Sequence, residues 1–442
     1  MLIETSEKRD PSARWTFFDL HLLASLQRRN SRFALKQSSL RALRCGGRGP
    51  RKISNARIRD PIFKGLMFYW SKGCMGEAMN NRVTVLGGGN TAFSIAAKLS
   101  LDGFEVLLWE HPAFAQTIEP IRETLTIHLE GTAVTGAARL AGVTTDAKEA
   151  AAWSDRLVAS VPSYAHRAFA EAFAPVLEPR HRLALLPGNL GSLEFAALVR
   201  RAGGRGCVLA ESDTAPYVCR KTAPDRAVIW GVVPALGIGV FPADRTADAM
   251  GAMQLLFPGA SAYGNVLAAG LSALNPIVHP PGVLLNAGRV ERSRGEFYFY
   301  EEGVTPGVVR VIEGLDRERL ALGAAYGIAL TPVAESFAKA GFGPRGDLWS
   351  VINGSRMLTA LRAPGQLDTR WLTEDLPYGL ATWNALAAPV GVEMPIARSL
   401  ITLGSAMLGR DFEAERRDLR ALGIDNLSVE SLRRYLETGA KT

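Results

Sequence analysis

The chain has 442 residues, which is too long for one hydrophobic core, so two or three domains are expected. Hydrophobic residues make up 47% of the chain and charged residues 21%, as is typical of a globular enzyme. No apolar run reaches the roughly 18 residues that a membrane helix needs, and no apolar signal core opens the chain. We therefore expect a cytoplasmic protein without membrane partners.

The net charge of +8 comes from the first 80 residues. They hold 16 Lys and Arg against 6 Asp and Glu, whereas the remaining residues hold 35 against 37. The main body is thus close to neutral. Its charge does not favour nucleic acid as a partner.

Residues 1–80 show no sustained helical or strand periodicity. Met75 and Met79 lie just before the first clear strand, so the leading hypothesis is an upstream extension from a misassigned start, without a fold of its own. A basic, disordered interaction tail is a second reading. An organelle transit peptide is a third, but four acidic residues among the first 19 argue against it.

The four cysteines have neither metal-ligand spacing nor the pattern of a disulfide framework: Cys45, Cys74, Cys207 and Cys219. No HExxH motif or Cys/His cluster occurs. We expect reduced thiols and no bound metal.

The stretch "NNRVTVLGGGNTAFSIAAKLSLDGFEVLLWE" predicts a strand over 82–86, a glycine turn, a helix over about 91–101 and a strand over 105–109. The turn matches the GxGxxG/A fingerprint of dinucleotide-binding folds, in which a tight turn and a close backbone approach place the phosphates at a helix amino terminus. The predicted cofactor-binding residues of this motif are Gly87, Gly89, Asn90, Thr91 and Ala92.

Glu110 ends the second strand, 21 positions after Gly89. A carboxylate here binds the ribose hydroxyls of NAD and repels a 2′-phosphate, so NAD is favoured and NADP stays open. The alternative is a solvated charge at a strand end.

Further strands are predicted over 157–161 and 183–186, in "CVLAES" before a polar turn, and in "RAVIWGVV". Strands alternating with helices indicate an α/β fold with a doubly wound, mostly parallel sheet of Rossmann type. Ligands bind beyond the carboxyl ends of such strands, which is where Pro162, another cofactor candidate, and residues 211–214 should lie.

Beyond residue 262 the pattern is helical, in segments that run from "GNVLAAGLSALNPIVHPPGVLLNAG" to "EAERRDLRALG". The expected domains are a basic extension over 1–80, a Rossmann domain over 81–261 and a mainly α-helical substrate domain over 262–442. The active site should lie in the cleft between the last two.

Two motifs in the helical part carry candidate chemistry. "NPIVHPPGVLLNAG" contains His279, one of six histidines, and "RWLTEDLPYGL" contains Arg370 and Asp375. His279 could exchange protons, Asp375 could orient it, and Arg370 offers a fork for a carboxylate. The alternatives are that His279 is a hydrogen-bonded core histidine and that Arg370 and Asp375 belong to a surface salt-bridge cluster.

Together with the glycine fingerprint, these two motifs resemble the octopine/nopaline (opine) dehydrogenase family, over about residues 82–394. The resemblance implies that His279 and Asp375 form a catalytic dyad and that Arg370 binds a substrate carboxylate. "AESDTAPYVCRK" resembles the family's substrate loop, which makes Glu211 and Thr214 weaker substrate-binding candidates. The resemblance to the opine dehydrogenases also implies the reaction: an amino acid and a 2-oxo acid, such as pyruvate or 2-oxoglutarate, condense and are reduced by a reduced nicotinamide cofactor.

Two other functions stay open. A dehydrogenase for a single oxo or hydroxy acid often places a lysine near its substrate, and of the five lysines after residue 80 only Lys221 falls near the predicted cleft. An inactive nicotinamide-sensing module would have no chemical need for His279, Arg370 and Asp375 together. The sequence does not give the substrates or the oligomeric state, for which a homodimer is one option.

Overall fold

The computed structural model describes residues 81–204 and 206–441. The predictions for the extension over 1–80, and those for Cys45 and Cys74, lie outside the described residues. Cys207 and Cys219 are free thiols, as predicted.

An eight-stranded sheet forms the centre of the amino-terminal half. Its strands, in chain order, are β1 (Arg82–Leu86), β2 (Glu105–Trp109), β5 (Gly142–Thr144), β6 (Arg156–Ala159), β7 (Arg182–Leu185), β8 (Val208–Ser212), β11 (Leu236–Phe241) and β12 (Ala260–Ala262). Their spatial order is β12-β11-β8-β7-β6-β1-β2-β5. All neighbours pair in parallel except β11 with β8.

This order from β5 to β8 is the doubly wound Rossmann arrangement, so the predicted fold class is confirmed. Side chains of each strand alternate between two buried clusters, one on each face of the sheet: Val83 and Val85 join one, and Leu86 joins the other. The covering helices are α1 (Asn90–Leu101), α2 (Ala147–Trp153), α3 (His166–Phe173), α4 (Gly191–Arg201) and α5 (Thr246–Leu256). The strand order runs outward in opposite directions from β1 and from β6. Ligands are therefore expected beyond the carboxyl ends of these two strands.

A second, four-stranded sheet was not predicted. It has the order β4-β3-β10-β9 and consists of β3 (Thr126–Gly131), β4 (Gly136–Arg139), β9 (Tyr217–Ala223) and β10 (Arg226–Val232). "RAVIWGVV" is therefore a strand, but not of the main sheet. Only two residues separate β9 from β10, so the two strands form an antiparallel hairpin and cannot make the helical crossover that a parallel pair requires.

This second sheet packs on the side of α1 that faces away from the main sheet. Ile229 of β10 and Phe93 of α1 belong to the same buried cluster, and neither is exposed to solvent. Because α1 lies between two sheets, its apolar residues extend over more than one face. The helix that begins at the glycine loop is thus held from both sides.

The carboxyl-terminal half is helical, as predicted. Its helices are α6 (Val266–Leu271), α7 (Asn275–Leu284), α8 (Ala287–Ser293), α9 (Pro306–Ala325), α10 (Val333–Lys339), α11 (Leu348–Asn353), α12 (Arg356–Thr359), α13 (Arg370–Thr373), α14 (Thr382–Ala387), α15 (Pro395–Leu408) and α16 (Val429–Thr438). None of the described helices is long and apolar enough to cross a membrane.

The helix predicted in "EAERRDLRALG", residues 413–423, is wrong, because this segment forms consecutive turns. Asp411 and Asp418 each accept a backbone hydrogen bond from the residue three positions ahead, which favours turns. Arg417, in the middle of the segment, is drawn into the protein interior. The local periodicity predicts a helix, but the segment instead forms turns that place Arg417 among buried polar groups.

Truncating Ile229 to alanine should destabilise the protein by about 2–5 kcal/mol, because its side chain is fully buried against α1. The urea midpoint, followed by tryptophan fluorescence, would measure the loss. Trp230→Ala is the matched control, since the Trp230 side chain is 54% exposed. Equal effects of the two substitutions would contradict the packing of the second sheet on α1.

Candidate active site

The glycine loop follows β1 at the expected ligand edge. Gly87 has a φ of +115°, and a Cβ atom there would lie only 2.7 Å from Cγ1 of Val161, so a side chain would be strained and crowded. Gly89 is exposed, precedes α1, and no side chain caps the helix start. The first N–H groups of α1 therefore remain open, which fits the phosphates of a dinucleotide.

The other residues of the fingerprint support this loop. Ala92 is fully buried, so the helix can pack closely on β1. The Asn90 side-chain oxygen accepts a hydrogen bond from the backbone N–H of Lys221 at 3.0 Å, and the hydroxyl of Thr91 lies 3.8 Å from the sulfur of Cys219. The second sheet is thereby attached to the start of α1.

Glu110 lies beside the glycine loop, as its spacing predicted. Its Oε2 atom accepts hydrogen bonds from the N–H of Gly88 at 2.6 Å and the hydroxyl of Thr117 at 3.2 Å, while Oε1 accepts from the N–H of His111 at 2.7 Å. Burial raises the pKa of Glu110, and these hydrogen bonds oppose the increase. The residue is only 5% exposed, so it is not the solvated charge of the alternative reading.

Pro162 lies just beyond β6, next to the glycine loop. Ser160, two residues earlier, donates its N–H to the carbonyl of Leu86 at 3.2 Å, and Pro162 begins a single turn of 3-10 helix, Ser163–Ala165. The carboxyl end of β6 is thus adjacent to the end of β1. The predicted cofactor residues lie together at this edge.

His279 and Asp375, 96 positions apart, are in direct contact. The Nδ1 atom of His279 lies 2.8 Å from Oδ2 of Asp375, and both side chains are largely buried. Burial raises the pKa of Asp375, and the hydrogen bond with His279 opposes that increase. The His279 ring also stacks on Trp371, with 4.3 Å between ring centroids and 8° between the planes. Sequence reasoning missed Trp371, although it follows Arg370 directly.

Close backbone packing brings these two residues together. Asp375 begins a turn of π-helix, Asp375–Ala381, which packs on the start of α7. A Cβ atom at Gly379 would lie 2.5 Å from Cγ of Pro276, so the approach depends on the missing side chain. π-Helical turns are frequent at functional sites, because the extra residue redirects the side chains.

Glu374 connects the Arg370 segment to the main sheet. Its Oε2 atom lies 2.5 Å from Nε of Arg370, and its Oε1 atom accepts hydrogen bonds from both the N–H and the hydroxyl of Ser163, each at 2.8 Å. Glu374 is 4% exposed, whereas the Arg370 side chain is 54% exposed. The two Nη atoms of Arg370 bond to no other residue within the described part of the chain, so they are available to a ligand.

Arg417 supports the same region and was not expected to do so. Its guanidinium donates to Oε2 of Glu194 at 2.7 Å, to the Asn189 carbonyl at 2.8 Å and to the Ser163 carbonyl at 2.6 Å, and it lies 2.8 Å from Nδ1 of His166. Burial and the Arg417 charge hold the pKa of His166 well below its usual value, so its neutral ring can accept. No sequence signal distinguishes Arg417 from its neighbouring arginines.

Thr214 lies beyond β8, as predicted, but Glu211 does not: it is the fourth residue of the strand, because its backbone pairs with β7 and β11. Its carboxylate accepts from the backbone N–H groups of Leu190 and Ser192, at 3.0 Å each, and from the Ser192 hydroxyl at 2.6 Å. It thus holds the start of α4 and is fully buried. The Thr214 carbonyl accepts from the Ser212 hydroxyl. A substrate contact by either residue stays a prediction.

Two family models match the described part of the chain. Residues 262–408 match the model of the NAD/NADP octopine/nopaline dehydrogenase α-helical domain, and residues 82–187 match that of the NAD-dependent glycerol-3-phosphate dehydrogenase amino terminus. An opine dehydrogenase from Arthrobacter sp. (strain 1C) is 29% identical over 354 residues, which cover 80% of this chain and 98% of the relative. These matches support the opine dehydrogenase family for this chain.

The family's solved structures share its fold. An octopine dehydrogenase in complex with NADH and agmatine superimposes with a TM-score of 0.67 at 20% identity, covering 82% of this chain and 98% of that one. A yersinopine dehydrogenase with NADP⁺ bound gives 0.62 at 18% identity, covering 81% and 99%. The family consists of oxidoreductases that act on CH–NH bonds. His279, Arg370 and Asp375 all fall inside the helical domain matched by the octopine/nopaline dehydrogenase model.

Replacing Arg417 with methionine should destabilise the protein by about 3–5 kcal/mol, because Glu194 and two carbonyls would lose a buried partner. The thermal unfolding midpoint would report the change. Arg420→Met, three residues away at an exposed position, should have little effect. A similar small shift for both variants would refute a structural role for the Arg417 contacts.

Proposed function

We propose that the protein is an NAD(P)H-dependent opine dehydrogenase that condenses an amino acid with a 2-oxo acid, such as pyruvate or 2-oxoglutarate. The observation that carries this proposal is the 2.8 Å contact between His279 and Asp375, next to an arginine whose Nη atoms have no hydrogen-bond partner among the described residues. Similarity to the opine dehydrogenases supports the reaction class, and related structures solved with NADH and with NADP⁺ support the cofactor type. The proposal includes a Rossmann domain over residues 81–261 and a mainly α-helical substrate domain over residues 262–442.

His279 would move the protons of the condensation. The ammonium group of the amino acid must lose a proton before its nitrogen attacks the keto carbon, and the hydroxyl group of the resulting carbinolamine must gain one to leave as water. With Nδ1–H donating to Asp375, the Nε2 atom keeps its lone pair and can accept the first proton, then return it. The product of these steps is an imine between the two substrates.

Asp375 would act on the imidazole. A buried carboxylate bonded to Nδ1 fixes one tautomer and stabilises the imidazolium after proton transfer. The stack on Trp371 holds the ring plane and shields one face of the imidazole from water. Together these contacts would keep Nε2 directed at one position.

Arg370 would bind the oxo-acid carboxylate through its Nη atoms while Glu374 holds Nε. Since Glu374 is itself bonded to Ser163 beyond β6, this contact sets Arg370 relative to the glycine loop. A reduced nicotinamide cofactor, when bound, supplies the hydride that reduces the imine carbon. Holding that carbon in a reactive orientation can lower the activation barrier by roughly 7–11 kcal/mol at most.

The test is oxidation of NADH or NADPH by the purified 442-residue protein, with pyruvate or 2-oxoglutarate, in the presence and absence of a panel of amino acids. Cofactor oxidation should require the oxo acid and an amino acid together, and mass spectrometry should find the secondary amine. Oxidation with the oxo acid alone would instead identify a simple oxo-acid dehydrogenase. Binding of the cofactor without turnover under any condition would favour a sensing module.

His279→Ala should lower kcat by about 10²–10⁴-fold, as expected for loss of a general acid–base group. Asp375→Asn should also lower kcat, and the double variant should be no slower than His279→Ala alone, because both residues serve one proton transfer. His128→Ala, at a half-exposed position on β3, is the control. Additive losses in the double variant would refute the dyad.

Arg370→Met should raise KM for the oxo acid by roughly 10–100-fold while KM for the amino acid changes little, because charge-assisted hydrogen bonds to one carboxylate are lost. Glu374→Gln keeps the size of the side chain and should give a smaller increase in the same constant. Arg356→Met, at an exposed position, is the control. A rise confined to the amino acid KM would assign Arg370 to the other substrate.

A further inference from the structure

A pocket of about 370 Å³ opens between the glycine loop and the second sheet. We call it the Lys221 pocket, and its lining residues include Gly88, Thr117, Pro120, Lys221, Thr222 and Ala223. One wall belongs to the dinucleotide-binding motif and the other to β9. The pocket therefore adjoins the predicted cofactor site but includes residues that the fingerprint does not contain.

Lys221 is held in a defined position in this pocket. Its Nζ atom donates to the Thr117 carbonyl at 2.6 Å and lies 3.9 Å from the ring centroid of Phe93, while its backbone N–H is bonded to Asn90. An ammonium group has three donors, and only one of them has a hydrogen-bond acceptor among the described residues. The remaining donors can reach a ligand in the pocket.

Glu110 lies on the other side of Thr117, because its carboxylate accepts from the Thr117 hydroxyl. A carboxylate at the end of β2 marks the place of the cofactor's ribose hydroxyls in this fold. Glu110 is buried and already accepts three hydrogen bonds, so it presents little bare negative charge to that place. Its usual effect, rejection of a 2′-phosphate, is therefore weakened, while Lys221 adds a positive charge nearby.

We propose that Lys221 binds the ribose 2′-phosphate of NADPH, so that the protein accepts NADPH as well as NADH. The inference rests on the proposed nicotinamide cofactor, and it adds a residue that determines cofactor selectivity. Lys221 comes from the second sheet, so this sheet contributes directly to cofactor binding. A bond from Lys221 to the pyrophosphate is the competing assignment, because that group is also an anion.

The experiment measures the dissociation constants of four probes for the full 442-residue chain by calorimetry: NADPH, NADH, adenosine 2′,5′-bisphosphate and 5′-AMP. Lys221→Met should weaken binding of NADPH and of the bisphosphate at least tenfold, and that of NADH and 5′-AMP less than threefold. Arg220→Met removes the same charge from the next, exposed position of β9 and should change all four constants less than threefold. Lys221→Arg should retain most of the affinity for NADPH.

Three results would overturn the proposal: wild-type protein that binds NADH but not NADPH, equal weakening of NADH and NADPH by Lys221→Met, or no weakening of either. Circular dichroism checks that each variant is folded, and Lys221→Gln, which can still donate to Thr117, replaces Lys221→Met if the latter is not. These measurements need neither an amino acid nor an oxo acid. Failure of the opine reaction would therefore leave their outcome readable.

Discussion

The buried carboxylate of Glu374 accepts hydrogen bonds from Arg370 on one side and from Ser163 on the other. Ser163 follows a central strand of the parallel sheet, whereas Arg370 and Asp375 belong to the helical half. Glu374 thus positions Arg370, the proposed carboxylate-binding residue, and also Asp375, which follows Glu374 directly in the chain. A buried carboxylate is costly unless every oxygen has a donor, which constrains both segments to this arrangement.

Arg417 provides a second contact between the same parts of the molecule. Its guanidinium bonds to the carbonyls of Ser163 and Asn189, which follow neighbouring strands β6 and β7, and to Glu194 of α4. The polypeptide around it gives up helical structure to make these contacts. Its planar fork of donors suits three acceptors at once, which the single ammonium of a lysine could not match with the same geometry.

The second sheet gives the amino-terminal half a feature beyond the common dinucleotide fold. It covers the outer side of α1, and its β9 strand bonds to Asn90 at the start of that helix. The strand also carries Lys221 to the pocket beside Glu110. One short hairpin therefore combines packing on α1 with placement of a cation near Glu110.

The sequence by itself determined the centre of the main sheet, because the glycine turn and the strands β1, β2, β6, β7 and β8 follow from local patterns. It did not predict β5, β11 and β12 of the same sheet. Strands β1 and β2 match their predicted bounds, and the fingerprint places Glu110 beside Gly88 through spacing alone. The two motifs around His279 and Arg370 identified the residues of the candidate site. They did so through their resemblance to the opine dehydrogenases, because the residues alone left a core histidine and a surface salt-bridge cluster as alternatives.

The tertiary structure alone decided which distant groups meet. His279 and Asp375 are 96 positions apart, Ser163 and Glu374 are 211 apart, and Ser163 and Arg417 are 254 apart. No local periodicity encodes contacts between such distant residues. The second sheet escaped prediction for a related reason: strands give their conformation locally, but their partners depend on which surfaces remain to be covered. Charge and hydrogen-bond satisfaction in the interior, rather than propensity, settled these arrangements.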